Sequence, residues 1–288
     1  MTKPDGVSYM KYSFCSVAYG SMETHMPCYP LEETMKRLSR IGYDAIEIVC
    51  AQPHAWPAYL DAEDRVHIAE LLKKYNLKCS SVMAMPAGGP GCNVASVIPE
   101  EREWTIQYNK DVIDLAAAWD CHRLAVVPGW YVFGTSRETA WANTLDSVKQ
   151  IAAYALERDV TLCIEPTATD SNVIDTPDDA ILLAKQTGMP NVGLMFDVAH
   201  ALFRQENPAD YVYTAGDYLK HVHFSDSDRL APGMGTVDFL PLMQALKDIN
   251  YKDYITMEIG FGRTVGMDSL ARKTLEHLKA LEAQIGMN

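Results

Sequence analysis

The stretch TLCIEPTATDSNVIDTPDDAILLAKQTGMPNVGLMFDV, residues 161–198, carries two short apolar runs separated by one amphipathic segment. TLCIEP (161–166) and GLMFDV (193–198) have the length and apolar density of buried strands, and TPDDAILLAKQTG has the length and spacing of a helix. The stretch therefore reads as strand, helix, strand. Each strand closes on an acid, Glu165 and Asp197.

The same unit recurs in both directions. Upstream, the strand candidates are YSFCSVAY (12–19), AIEIVC (45–50), KCSSVMAM (78–85) and RLAVVPG (123–129); downstream they are KHVHFS (220–225) and YITMEI (254–259). Helical patterns lie between them. LEETMKRLSRIG starts after Pro30 and stops at Gly42. AEDRVHIAELLKKY opens with acids and closes with lysines, as the helix dipole favours. PEEREWTIQYNKDVIDLAAAW has Pro99 at its start, and SRETAWANTLDSVKQIAAYALERD follows an N-cap at Ser136. DFLPLMQALKDIN and SLARKTLEHLKALEAQIG complete the set, and NPADYVYTAGDY is the weakest helical pattern.

Eight strand-then-helix units without a linker, repeat or low-complexity run predict an α/β fold, a single (β/α)8 TIM barrel over residues 1–288. A doubly wound sheet is the alternative; it rarely needs eight evenly spaced units.

Composition narrows the function. A net charge of −13 disfavours a nucleic-acid face and suits a cation-binding protein or a small-molecule enzyme. Seven scattered cysteines without a C-x-x-C pair point to a reducing compartment. MTKPDGVSYM lacks an apolar signal core, and no run is long enough to span a bilayer, so a cytoplasmic location is expected.

In a barrel of this kind the chemistry sits at the C-terminal strand ends. Glu165, Asp197, His223 and Glu258 close strands five, six, seven and eight, and neighbouring strands are ~4.8 Å apart. The four side chains therefore converge on one side of the rim. Three crowded carboxylates repel one another, and one would take a proton unless a cation relieved them. Three oxygens and an imidazole favour Mn²⁺, with Mg²⁺, Co²⁺ or Fe²⁺ as alternatives, over a thiolate zinc site. Each residue alone has an ordinary reading as a cap, a loop ion pair or a bonded core histidine; only the joint occurrence points to a metal. His221 shares a strand face with His223, so either could be the ligand, and His223 is nearer the strand end. His200 and Arg229 could reach a substrate, although Arg229 could equally pair with Asp226 or Asp228. Asp226 is a candidate orienter of a histidine. Glu47, in AIEIV, points into the barrel and could hold His54 or another site group.

IEP, FDVAH, HVHFSDSDR, PGMGTVDF and MEIG, in that order, together with GYDAIEIVCAQPHAW at 42–56, resemble the xylose-isomerase-like barrels that isomerise and epimerise sugars, and are most similar to ketose 3-epimerases, including the fructoselysine branch. The likeness covers nearly the whole chain. It implies Glu165, Asp197, His223 and Glu258 as ligands of one divalent ion and His200 and Arg229 as substrate contacts. It also implies a small-molecule sugar substrate and a homo-oligomer, dimer or tetramer, with neither nucleic acid nor membrane as partner. Many such epimerases place a glutamate six residues after the first metal-binding glutamate. Here that position is Ser171, and Asp170 is the nearby acid that a shortened loop would bring into the role.

The implied reaction removes the C3 proton beside a ketone and returns one to the opposite face, with Glu165 and Glu258 as the acid/base pair. His54 and Trp56, and Trp130 and Tyr131, are candidates to cover the sugar. GFGRTVG (260–266), with Arg263, raises an anionic substrate. Aldose–ketose isomerisation, cleavage of a carbon-linked glycoside and a metal-free glycoside hydrolase are the rivals; a multi-metal DNA-repair endonuclease and a non-catalytic sugar binder are more remote.

Overall fold

The computed structural model describes residues 10–20, 28–84, 92–260 and 266–287. Its elements run β1 (Lys11–Cys15), α1 (Val17–Gly20), α2 (Leu31–Ile41), β2 (Ala45–Val49), α3 (Ala62–Lys74), β3 (Lys78–Met83), α4 (Pro99–Ala118), β4 (Arg123–Val126), α5 (Arg137–Leu156), β5 (Thr161–Ile164), α6 (Pro177–Thr187), β6 (Val192–Asp197), α7 (Val198–Phe203), α8 (Pro208–Ala215), β7 (Leu219–Phe224), α9 (Phe239–Asp248), β8 (Tyr254–Met257) and α10 (Met267–Gln284). All eight strands pair in parallel and in sequence order, and β8 closes on β1. This is the (β/α)8 barrel expected from the alternation.

Side chains on a strand alternate between faces. Phe14, Ile46, Val82, Leu124, Ile164, Phe196, Val222 and Met257 point outward into one large apolar layer shared with the helices. Cys15, Val49, Met83, Ala125, Cys163 and Met195 form a separate cluster inside the barrel.

Two register shifts change which residues face inward. One separates the Ile46↔Cys79 and Glu47↔Ser81 pairs; the other separates Leu194↔Leu219 and Met195↔His221. In each case one residue, Ser80 or Lys220, is extra. Such a bulge resets the period of two. Cys79 and Leu219 therefore belong to the outer layer, whereas Ser81 and His221 meet inside the barrel.

The predicted elements differ from the observed ones mainly at the ends. YSFCSVAY is not one strand: β1 stops at Cys15, and α1 begins at Val17. Ser16 is the reason. Its hydroxyl accepts the Val49 N–H, and its carbonyl accepts those of Tyr19 and Gly20. The predicted strands four and five are also shorter, ending at Val126 and Ile164. NPADYVYTAGDY does form a helix, α8, capped by the Asn207 side chain on the Ala209 N–H.

Candidate metal centre and active site

Glu165 and Glu258 each stand one residue beyond their strands, and their N–H groups still bond the neighbouring strand, to Val126 O and Phe224 O. Asp197 is the last residue of β6, and His223 the fifth of the six in β7. Glu165, Asp197 and His223 are buried, and their ligand atoms lie within 4.8 Å of one another. Glu258 joins them from the adjacent strand, with Oε2 3.4 Å from His223 Nδ1. Asp197 divides its carboxylate: Oδ1 accepts the Ala199 N–H and caps α7, leaving Oδ2 for the site.

Arg229 enters from the loop after β7. Its Nη1 donates to Asp197 Oδ2 at 2.6 Å and to Glu258 Oε2 at 2.7 Å. This replaces the alternative pairing with Asp226 or Asp228. His200, on α7, places Nε2 3.7 Å from both Glu165 Oε1 and Asp197 Oδ2 and 3.4 Å from Arg229 Nη2. Six of the expected site residues are thus gathered in one place.

The loop that delivers Arg229 is held by Asp226, whose carboxylate accepts the N–H groups of Ser227, Gly233 and Val237. Asp226 therefore shapes a loop rather than orienting a histidine. Asp228 and Arg229 both have positive φ, 56° and 58°. The Gly260 N–H bonds the Arg229 carbonyl and locks this turn from the β8 side.

Electrostatics set the acids apart. Burial pushes Glu165 well above the ordinary carboxylate range; His223 opposes this, and Asp197 and Glu258 add to the rise. Burial acts on Glu258 too, but the Arg229 guanidinium and then His223 outweigh it and hold this carboxyl low. Burial disfavours charge on His223, yet Glu47 and then Glu258 outweigh it and raise the imidazole well above its ordinary value.

Glu47 takes the second of its two expected roles and holds a site group other than His54. It does point into the barrel, but its partners are His221, His223 and Ser81. Oε2 lies 2.8 Å from His221 Nε2 and also accepts the Ser81 hydroxyl; His223 Nε2 lies 3.0 and 3.1 Å from the two oxygens. His54 instead uses Nε2 on the Tyr29 carbonyl, at 3.0 Å. Ser81 was not among the expected residues; two adjacent serines inside an apolar strand, KCSSVM, were its signal.

The remaining candidates lie around the mouth. Trp56 packs against the apolar cluster inside the barrel and stacks on Tyr108, ring centroids 5.2 Å apart. Asp170 is exposed and accepts the Thr169 hydroxyl, which also lies 3.4 Å from His200 Nδ1. Ser171 is buried, with its hydroxyl on the Gly129 carbonyl, so the β5 loop is stitched to the β4 loop at this position. Asn172 adds two bonds, accepting the Tyr131 N–H and donating to the Tyr131 carbonyl. Trp130 is partly buried, its N–H and carbonyl both bonded to Asn93. Arg263 and the rest of 261–265 lie outside the described residues.

The donor set fits a divalent cation. His223 Nδ1 is buried with no hydrogen-bond partner among the described residues, and it faces the Glu258 carboxylate. Glu165 has a histidine nearby but no lysine or arginine within 4.0 Å among the described residues, whereas Asp197 and Glu258 share Arg229. Hard oxygens and one imidazole suit Mn²⁺, Mg²⁺, Co²⁺ or Fe²⁺.

The family model for the xylose isomerase-like TIM barrel matches residues 35–281. The chain is 28% identical over 245 residues to the D-psicose 3-epimerase of Enterocloster bolteae, covering 81% of this chain and 79% of that one. It is 26% identical over 261 residues to the fructoselysine 3-epimerase of Shigella flexneri, covering 88% and 93%. The crystal structure of D-psicose 3-epimerase with D-tagatose from Clostridium cellulolyticum H10 superposes with a TM-score of 0.82 at 20% identity, covering 94% of this chain and 99% of that one. At that identity the likeness to the solved structure is one of fold.

Proposed function

Since the chain belongs to the xylose isomerase-like TIM barrel family, we propose that it is a divalent-metal-dependent epimerase acting at C3 of a ketose or ketose derivative. The observation that carries this reading is the convergence of Glu165, Asp197 and His223, with Glu258 beside them, around a buried imidazole nitrogen that has no hydrogen-bond partner among the described residues. Relatives named as 3-epimerases of D-psicose and of fructoselysine support the position of the chemistry.

Glu165, Asp197, His223 and Glu258 would hold the ion, with Mn²⁺ as the preferred metal. When bound, it supplies a positive centre that lowers the cost of negative charge on the ketose oxygens. The protein does the rest. Glu165 and Glu258 extend from strands five and eight; they flank C3, one removing its proton and the other returning one to the opposite face. His200 and Arg229 reach into the same space and bind sugar hydroxyls, fixing the ring or chain so that C3 lies between the two carboxylates. Trp56 offers an aromatic face to the C–H side of the sugar. Asp170 reaches the substrate only through the Thr169–His200 contact, since its own side chain is turned to solvent. No helix among the described residues is long and apolar enough to cross a membrane, and all seven cysteines are unpaired, which supports a reducing, cytoplasmic setting.

Incubation of the Mn²⁺-loaded protein in D₂O with free, phosphorylated and amine-linked ketoses tests the reading. Deuterium at C3 with formation of the C3 epimer is expected. Deuterium at C1 identifies an aldose–ketose isomerase instead, and absence of label with retained binding identifies a sugar-binding protein. Activity that survives full chelation contradicts the metal requirement and favours the glycoside hydrolase alternative.

A further inference from the structure

The interior of such a barrel is ordinarily filled by branched apolar side chains. Here a fully buried carboxylate, Glu47, stands among Cys15, Val49, Met83, Ala125, Cys163 and Met195. A buried charge is costly unless it is paired and hydrogen-bonded. Glu47 is both, through three donors: Ser81 on the neighbouring β3, and His221 and His223 on β7 across the barrel. Packing alone would not select this arrangement, because apolar residues could fill the same space.

The arrangement has a chemical consequence. An ionised carboxylate only accepts hydrogen bonds. Both histidines approach it through Nε2, so both carry their proton on Nε2. In neutral His223 the lone pair is then on Nδ1, the atom that lies 3.4 Å from Glu258 Oε2 and has no hydrogen-bond partner among the described residues. A histidine that ligates a metal through one nitrogen typically donates its other N–H to a carboxylate, which fixes the tautomer and raises ligand basicity. We propose that Glu47 is a positioning residue for the metal site: with Ser81 and His221 it locks His223 as the Nε2-protonated tautomer and aims Nδ1 at the ion. This rests on the metal-dependent reading above.

His221 has a defined place in this scheme. Its ring meets that of His223 edge-on, with centroids 5.0 Å apart and planes at 78°. It also contacts Ser81 Oγ at 3.1 Å, closing a ring of contacts about Glu47 Oε2. The β3 and β7 bulges are part of the device, since without them Ser81 and His221 would turn to the outer layer.

Glu47→Gln tests the proposal. Glutamine offers one acceptor oxygen and turns an NH₂ group toward imidazoles that had been donating. At least one histidine must then change tautomer or rotate away. Mn²⁺ affinity, read from the free-ion EPR signal, is expected to fall about 10–100-fold. In ¹⁵N-histidine-labelled, Mg²⁺-loaded protein, imidazole nitrogen shifts are expected to place the His223 proton on Nε2 in the wild type and to show that state lost or mixed in the variant. Wild-type affinity together with an unchanged His223 tautomer in Glu47→Gln overturns the proposal. Ser81→Ala is the milder second variant and serves if Glu47→Gln does not fold. Its expected effect is a loss of Mn²⁺ affinity of about fivefold, equivalent to one ordinary hydrogen bond, and unchanged affinity there counts against the proposal. His223→Ala separates the two levels. If it abolishes Mn²⁺ binding while Glu47→Gln does not weaken it, only the positioning role falls. If the wild type binds no Mn²⁺, both readings fall together.

Discussion

Arg229 does at residue scale what a bound cation does at site scale, since one guanidinium nitrogen bridges Asp197 and Glu258. Two consequences follow from removing it. The Arg229→Met variant keeps much of the side-chain bulk but loses the charge and the donors. Its kcat/KM should fall about 100-fold or more, because the proposed charge-assisted contact to substrate is lost. Its Mn²⁺ affinity should be no weaker than that of the wild type, because a competing cation has left the carboxylates. Steady-state kinetics and equilibrium metal titration check the two halves separately. Weaker metal binding would show that Arg229 assembles the carboxylates rather than competing for them. Glu165→Gln and Glu258→Gln make a second pair at this scale. Each should lower C3 hydrogen exchange by about 10²–10⁴-fold, the usual contribution of a positioned acid or base, measured by NMR in D₂O.

At the scale of elements, the β7 loop is the part most dependent on a single side chain. Asp226 accepts three backbone N–H groups, and Gly235 packs so closely that a Cβ there would overlap Asp226 Oδ1 and Ser227 Oγ. Asp226→Asn cannot reproduce three acceptor contacts and should destabilise the fold by about 1–3 kcal/mol, lowering the thermal midpoint by a few degrees. Burial tends to raise the Asp226 pKa, but the N–H groups of Val237, Gly235, Ser227 and Gly233 outweigh it and bring it below the ordinary value. A carboxyl lowered in the folded state stabilises above its unfolded pKa, ~3.9, and that stabilisation drains away as pH falls through the folded value. The stability gap between wild type and Asp226→Asn should therefore be constant above about pH 5 and shrink below about pH 4, as followed by denaturant melts across pH. Gly235→Ala should also lower stability, since the added Cβ displaces the Asp226 carboxylate and the Ser227 hydroxyl.

What the sequence disclosed also divides at this scale. Eight apolar runs with helical segments between them were enough for the barrel, because a strand buried on both faces has few other ways to look. The meeting of Glu165, Asp197, His223 and Glu258 was legible because strand ends face one rim, whatever the loops do. The Glu47 network was not. Residues 47 and 81 are neighbours on β2 and β3, but 221 reaches them only through barrel closure, and two of the three face inward only because of bulges at Ser80 and Lys220 that a strict period of two does not reveal. The end of β1 was misread for a related reason: CSVAY is as apolar as a strand, but the Ser16 hydroxyl and carbonyl turn the chain into α1.

For the whole molecule, the site and the fold are coupled because the proposed ligands come from four consecutive strands, β5 through β8, or from the residue just past them. An ion that binds only the folded chain stabilises it by mass action, by about 2.7 kcal/mol at a hundredfold excess over Kd. Chelation should therefore lower the midpoint of unfolding, and Mn²⁺ should restore it, in differential scanning calorimetry. The surface carries a large negative excess, −13 over the chain. That favours capture of a cation and disfavours any polyanionic partner.

Anomalous diffraction at the manganese edge from a Mn²⁺-soaked crystal is the most direct measurement. One strong peak is expected, within bonding distance of carboxylate oxygens from Glu165, Asp197 and Glu258 and of His223 Nδ1. A map with no peak among these four side chains, or with the ion bound through His223 Nε2 instead, would contradict the proposed metal centre.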